Sequence, residues 1–168
     1  MEVVKQKFFI IILIMNDIKF RNLNLSLIVP FVLFQKKYTD ELNGNIFSKK
    51  ETIRNLKNKY HYTYLCLQKD TIVGFLSAQK ILDTFEIHSL FVSPNLRRKG
   101  IAMTLVQNLI NSCKRKKITN VFLEVMELNK AAKNLYFKNN FIIYGKREKY
   151  YKLENKEFDA NLMKLKLR

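Results

Sequence analysis

Histidine and cysteine are scarce in this chain, two of each, and none of the four stands in a pattern with metal-ligand spacing. Cys66 and Cys113 fall in apolar periodic stretches, which marks them as reduced core thiols, and His61 and His88 belong to no ligand cluster. A zinc site is therefore not expected, and no metal is required. Glycine and proline are also sparse, four and two in 168 residues, and no linker or internal repeat divides the sequence. The length suits one domain that can bury a real core. Acidic residues are outnumbered, 14 against 31 lysines and arginines, which leaves a net charge of +17. Any polyanion, whether ribosome, nucleic acid or acidic membrane, would feel that charge. The lysines are nevertheless scattered among asparagines and isoleucines, the pattern of a solvated surface more than of a built patch. With 48% hydrophobic residues, wholesale disorder is excluded.

Phe8 to Met15, FFIIILIM, is an unbroken apolar run preceded by Lys5 and Lys7, which imitates the start of a signal peptide. It is too short to span a bilayer, and no small-residue cleavage site follows, because the next residues are Asn16, Asp17 and Ile18. We read residues 1–16 as an apolar extension packed on the domain, with a targeting segment as the alternative, and residues 17–168 as the domain itself. The expected location is the cytoplasm, or an organelle if the first 16 residues are an address.

The periodicities predict a strand over Ile18 to Leu23 and a helical region from Ser26 to Glu41 with a kink or restart near Pro30. Ser48 is placed to cap a short helix from Lys49 to Lys59. Tyr62 to Gln68 and Ile72 to Lys80 read as a hairpin around Lys69-Asp70-Thr71, and Ile87 to Val92 as the next strand. Ile101, Leu105, Leu109 and Cys113 recur every four residues and give a helix with a wide buried stripe, ending near Lys117. Thr119 to Met126 alternates like a strand and Lys130 to Lys138 shows a helical face. Phe141 to Gly145 and Leu162 to Leu167 make the last strands, antiparallel across a Lys152 to Asp159 loop. This order predicts a single α/β domain with a mixed, largely antiparallel sheet flanked by helices.

One segment carries chemistry. Arg97-Arg98-Lys99-Gly100-Ile101-Ala102 joins a strand to a helix, and at a helix start the first N–H groups lack intrahelical partners while the dipole favours negative charge. Gly100 and Ala102 let a phosphate come close to the backbone. Downstream stand Leu123-Glu124-Val125, Asn129, Ala131-Ala132, Leu135-Tyr136, Phe141, Arg147 and Tyr150-Tyr151. In this order and spacing the segment resembles the GNAT N-acetyltransferases, whose Arg/Gln-x-x-Gly-x-Gly/Ala turn it matches, and within them the RimI-type branch that acetylates a ribosomal protein at an N-terminal alanine. The resemblance is close from about Ile72 to Leu167, loose from Ile18 to Asp70 and absent before Ile18.

The resemblance implies a GNAT fold, acetyl-CoA as cosubstrate without a metal, and direct transfer to the α-amine of a protein N-terminus. Glu124 takes the place of the general base, sufficient for an ammonium with a pKa of about 7.7 to 8. Tyr136 takes the place of the acid that protonates the leaving thiolate. Leu90, Phe91 and Val92 would act through backbone amides on the pantetheine and the thioester carbonyl. Arg97, Arg98, Lys99, Gly100, Ile101, Ala102 and Met103 would cradle the pyrophosphate, and Asn129 would hydrogen-bond the cofactor while also suiting a helix N-cap. Phe47, Arg147, Tyr150 and Tyr151 would border the peptide groove. Phe47 stands where a tryptophan is frequent, and Asn140 stands where the family carries a glycine before Phe141; asparagine also tolerates a left-handed backbone. A monomer is expected, with a ribosomal protein as partner and no requirement for nucleic acid. The same fold could instead acetylate a lysine side chain, a polyamine or another small amine, and a basic ribosome- or RNA-binding module without catalysis is the reading from another class.

Overall fold

The computed structural model describes residues 17–42, 46–153 and 156–167. The apolar run before Asp17 lies outside the described residues. Among the described residues seven strands form one sheet in the order β1-β2-β3-β4-β5-β7-β6. They are β1 (Ile18–Asn22), β2 (His61–Gln68), β3 (Thr71–Ile81), β4 (Thr84–Val92), β5 (Asn120–Met126), β6 (Ile142–Leu153) and β7 (Lys156–Lys166). Every neighbouring pair is antiparallel except β4 with β5. The helices are α1 (Ile28–Lys37), α2 (Lys49–Lys57), α3 (Ile101–Arg115) and α4 (Lys130–Lys138).

Strand alternation divides the core into two layers. Leu65, Leu67, Phe75 and Phe91 join Phe31 and Phe34 of α1 on one face. Cys66, Leu76, Phe85, Leu123 and Val125 join Leu105 and Leu109 of α3, Tyr136 of α4 and Phe141 on the other. Aromatic edges meet in the first layer, with Phe31 and Phe75 centroids 5.0 Å apart at 81°. Both cysteines are free and buried, and burial pushes each thiol up to about 12.

Local chemistry accounts for most of the boundaries. Lys69 and Asp70 both have positive φ, 46° and 62°, as a two-residue hairpin turn requires. Ser48 and Glu51 form a full capping box at the start of α2, which ends at Lys57, two residues earlier than the periodicity suggests. Pro30 does not kink α1. A 3-10 turn, Leu25–Leu27, precedes the helix, and Pro30 is its third residue, where a backbone N–H would have had no intrahelical partner. The last hairpin differs most from expectation: β6 runs to Leu153 and β7 starts at Lys156, so much of the anticipated loop is strand. Lysines, glutamates and an exposed face hid that strand, because its period-2 signal is interrupted by a bulge.

Candidate active site

The parallel pairing of β4 with β5 runs from Thr84 opposite Asn120 to Ile87 opposite Leu123 and stops there. The next residue of β4 is supernumerary: Ser89 opposes Ser77 and Ile87 opposes Ala78, so His88 has no partner on β3. A bulge bends its strand and increases the local twist, and this one falls at the last contact with β5. Beyond it β4 stays with β3, Leu90 opposite Leu76 and Phe91 opposite Phe75, while β5 stays with β7, Glu124 opposite Leu162. The wedge between them holds a cavity of about 190 Å³, lined in part by Leu90, Phe91, Glu124, Asn129 and Tyr136. Backbone groups of β4 on the side of the wedge have no ladder partner there.

Parting the sheet brings together residues that its faces would separate. Tyr136 belongs to the core layer of Leu123 and Val125, whereas Glu124, between them, points to the opposite face. They line one cavity only because the strands diverge. Tyr136 is held by the end of α4: Phe141 N–H donates to the Tyr136 carbonyl at 3.0 Å and Asn140 N–H to that of Phe137 at 2.9 Å. This is the two-bond Schellman stop, with Asn140 left-handed at φ 63° and the Phe141 ring 5.5 Å from that of Tyr136. Burial, and then the nearby Tyr151, hold the Tyr136 phenol well above its ordinary pKa.

Glu124 keeps 19% of its side chain exposed and pairs with Arg147, whose Nη2 lies 3.2 Å from Oε1. The Arg147 guanidinium also lies over the Tyr150 ring at 5.3 Å, and the Tyr150 and Tyr151 rings meet edge to face at 5.1 Å. Hydrogen bonding to the Glu124 carboxylate raises the Tyr150 pKa, and burial pushes Tyr151 up to about 12, with the Glu124 charge adding to it. Glu124, Tyr150 and Tyr151 border a second cavity of about 640 Å³, which Phe47, Glu86 and His88 also line, whereas Arg147 touches Glu124 and Tyr150 from outside its lining. Glu124 therefore stands where the two cavities meet.

At the turn from Arg97 to Ala102, Arg98 and Gly100 are both left-handed, φ 60° and 84°, and Gly100 precedes the first helical residue, Ile101. A Cβ at Gly100 would meet nothing within 4 Å, so the space above this backbone is open to a ligand. Ile101 is buried, so only its main chain is available, as is true of any residue acting through N–H groups. Arg97 turns back onto β4, donating from Nε to the Val92 carbonyl at 3.0 Å and stacking 5.4 Å from Phe91. Arg98 and Lys99 have no such engagement among the described side-chain contacts, and Met103 Sδ accepts from Asn139 at 3.0 Å. Asn129 caps α4, its Oδ1 accepting from Ala132 N–H at 3.0 Å, which leaves its amide nitrogen for the cavity.

Two contributors escaped the sequence reading. Gln35 is fully buried and receives the Phe47 N–H at 3.0 Å, tying the loop that carries Phe47 to α1; a lone amide in an apolar helix was its only signal. His88 shapes the wedge by being extra in its strand, which no local pattern reveals. A groove of about 800 Å³ beside Tyr62, Tyr64 and Arg115 contains none of the expected site residues. Among the described residues no group of three or more His, Cys, Asp or Glu side chains could hold a metal ion. No helix among them is long and apolar enough to cross a membrane.

A mixed sheet parted beside an open, left-handed helix start, with a carboxylate and a phenol at the gap, is an arrangement suited to an acyl-CoA-dependent acyltransferase. The sequence profile of the acetyltransferase (GNAT) family matches residues 30–141. The chain belongs to that family and is an acetyl-CoA-dependent N-acetyltransferase. It is 29% identical over 102 residues to the [ribosomal protein bS18]-alanine N-acetyltransferase of Haemophilus ducreyi, covering 61% of this chain and 70% of that one. The crystal structure of the ribosomal-protein-S18-alanine N-acetyltransferase from Escherichia coli superposes with a TM-score of 0.78 at 21% identity, covering 89% and 94% of the two chains. Arabidopsis thaliana NAA60 in complex with acetyl-CoA gives 0.77 at 17%, covering 89% and 98%.

Proposed function

We propose that this chain transfers the acetyl group of acetyl-CoA to the α-amine of a protein N-terminus, with a ribosomal protein that begins with alanine as acceptor. The observation that carries the reading is the position of Glu124 at the meeting of two cavities, one in the parted sheet and one walled by Phe47, Tyr150 and Tyr151. The acyl donor is assigned to the first, where free β4 backbone at Leu90 to Val92 can hold the pantetheine and meet the oxyanion. The N–H groups of the Arg98 to Met103 turn are assigned to its pyrophosphate, with Arg98 and Lys99 supplying charge and Arg97 bracing the strand end. The acceptor enters the second cavity as an extended chain.

There Glu124 removes a proton from the entering ammonium, directly or through one water, and the Arg147 contact holds the carboxylate in place. Amides aimed at the developing oxyanion are worth about 2.7 to 4 kcal/mol each by analogy with oxyanion-hole deletions. Tyr136 donates its phenolic hydrogen to the departing sulfur. Its raised pKa keeps it protonated throughout the working range, and makes it a hydrogen-bond donor first and a full proton donor only as thiolate charge develops. Names of relatives that acetylate an alanine of bS18 support this acceptor. A basic surface also suits work beside the ribosome in the cytoplasm, or in an organelle if the leading residues are a targeting segment.

A lysine side chain or a polyamine is the second reading, favoured by the carboxylates of Glu51 and Glu86 on the same cavity. One basic peptide decides between them when supplied with a free N-terminal alanine, and again with that amine blocked and a lysine left free. Faster acetylation of the blocked peptide would overturn the α-amine assignment.

A further inference from the structure

The acceptor wall depends on an irregularity in the β6–β7 pair. Arg147 opposes Ala160 and Tyr151 opposes Phe158, so three residues of β6, Glu148, Lys149 and Tyr150, face one residue of β7, Asp159. Within a regular strand Arg147 and Tyr151 would share a face and Tyr150 would point away from both. Here Tyr150 and Tyr151 line the same cavity, and the guanidinium of Arg147 lies over the Tyr150 ring. The two additional residues give the chain room for that, with Lys149 left-handed at φ 53°.

An excursion of this kind leaves backbone donors without strand partners, and Asp159 supplies the missing acceptor. Its Oδ1 receives the Lys149 N–H at 2.8 Å, while its Oδ2 lies 2.7 Å from Lys146 Nζ, which also reaches Glu127 at 3.2 Å. Its own carbonyl receives the Glu127 N–H at 2.9 Å, so one residue joins β6 to the end of β5 that carries Glu124. Neither cavity is lined by Asp159.

We infer that Asp159 is a positioning residue for the acceptor, acting through its hydrogen bond to Lys149 N–H, which pins the β6 bulge and so sets Tyr150 and Arg147 against Glu124. This inference rests on the proposed assignment of the second cavity to the acceptor. It predicts a split between substrates: the donor cavity lies on the other side of Glu124 and takes from this segment Tyr151 alone, which its pairing with Phe158 holds outside the bulge.

The test compares the parent with Asp159→Ala and Asp159→Asn. Acetyl-CoA affinity is measured by calorimetry, and KM and kcat with an alanine-initiated peptide, a lysine peptide and spermidine. Loss of one hydrogen bond to a charged acceptor predicts a KM for the preferred amine about ten-fold higher in Asp159→Ala with acetyl-CoA affinity unchanged. Asp159→Asn keeps an oxygen for Lys149 and is expected within about three-fold of the parent. A folded Asp159→Ala protein with the parent KM, equal damage in both variants, or parallel loss of acetyl-CoA binding would each overturn the inference. Hydrogen exchange at the Lys149 amide gives a readout independent of turnover and of the alanine variant's folding. Slow exchange in the parent and in Asp159→Asn supports the pin, and rapid exchange in the parent refutes it. If the parent acetylates none of the three amines, the acceptor reading fails while the exchange measurement still decides whether the bulge is pinned.

Discussion

Replacing Glu124 with Gln separates basicity from shape. The amide keeps the size of the carboxylate and a hydrogen-bonding oxygen for Arg147, and it removes the proton acceptor. Because Arg147 is 54% exposed, water can solvate the guanidinium once the charge pair is gone, so the stability loss should stay below about 1 kcal/mol. A general base contributes about 10²- to 10⁴-fold, or about 2.7 to 5.5 kcal/mol of barrier. The rate loss should thus far exceed anything unfolding could cause, with acetyl-CoA affinity preserved. Alkali should restore part of it. With an α-amine pKa of about 7.9, the neutral fraction rises from about 11% at pH 7 to about 98% at pH 9.5, a gain of about nine-fold that needs no base. Tyr136→Phe should recover less over that interval, since the sulfur still lacks its donor; in the parent the raised Tyr136 pKa keeps that donor protonated well past pH 10. Initial rates with saturating acetyl-CoA at a series of pH values supply the comparison. Equal recovery in the two variants, or a near-parental rate in either at pH 7, would refute this division of the proton transfers.

Three further outcomes are expected. Gly100→Asp places a negative side chain over an open, left-handed backbone position; calorimetry should show acetyl-CoA affinity reduced at least about ten-fold, while the backbone strain costs the fold only about 1–2 kcal/mol and leaves it native. Burial, and secondarily the charge of His88, depress His61 to about 4. A depressed folded pKa gives stability that is present above about pH 6.5 and lost as the pH falls through 4, so urea midpoints between pH 7 and 4 should drop more in the parent than in His61→Gln. Cys66 and Cys113, with thiols pushed up to about 12, should resist iodoacetamide at pH 8 in the native protein and react once it is unfolded in urea. Rapid native labelling would mean that the core opens far more often than its packing suggests.

Local information determined much of this protein. The four-residue repeat of Ile101, Leu105, Leu109 and Cys113 made α3 legible, and alternation made β5 legible, because each element buries one face against the same layer. The order of Arg97, Gly100, Ala102, Glu124, Asn129 and Tyr136 was enough to indicate the family, since Arg97, Gly100, Ala102 and Asn129 mark helix starts and Glu124 and Tyr136 lie within the neighbouring strand and helix, at spacings the chain itself sets. Tertiary structure alone decided how the elements part. No pattern within β4 announces that His88 will be the extra residue, because a bulge exists only relative to a partner strand. The same holds for β6, whose alternation is broken where Asp159 of β7 supplies an acceptor ten residues away from Lys149. Glu124 and Tyr136 begin on opposite faces of the sheet and reach one cavity only where β4 and β5 separate, a consequence of long-range pairing that sequence periodicity does not encode.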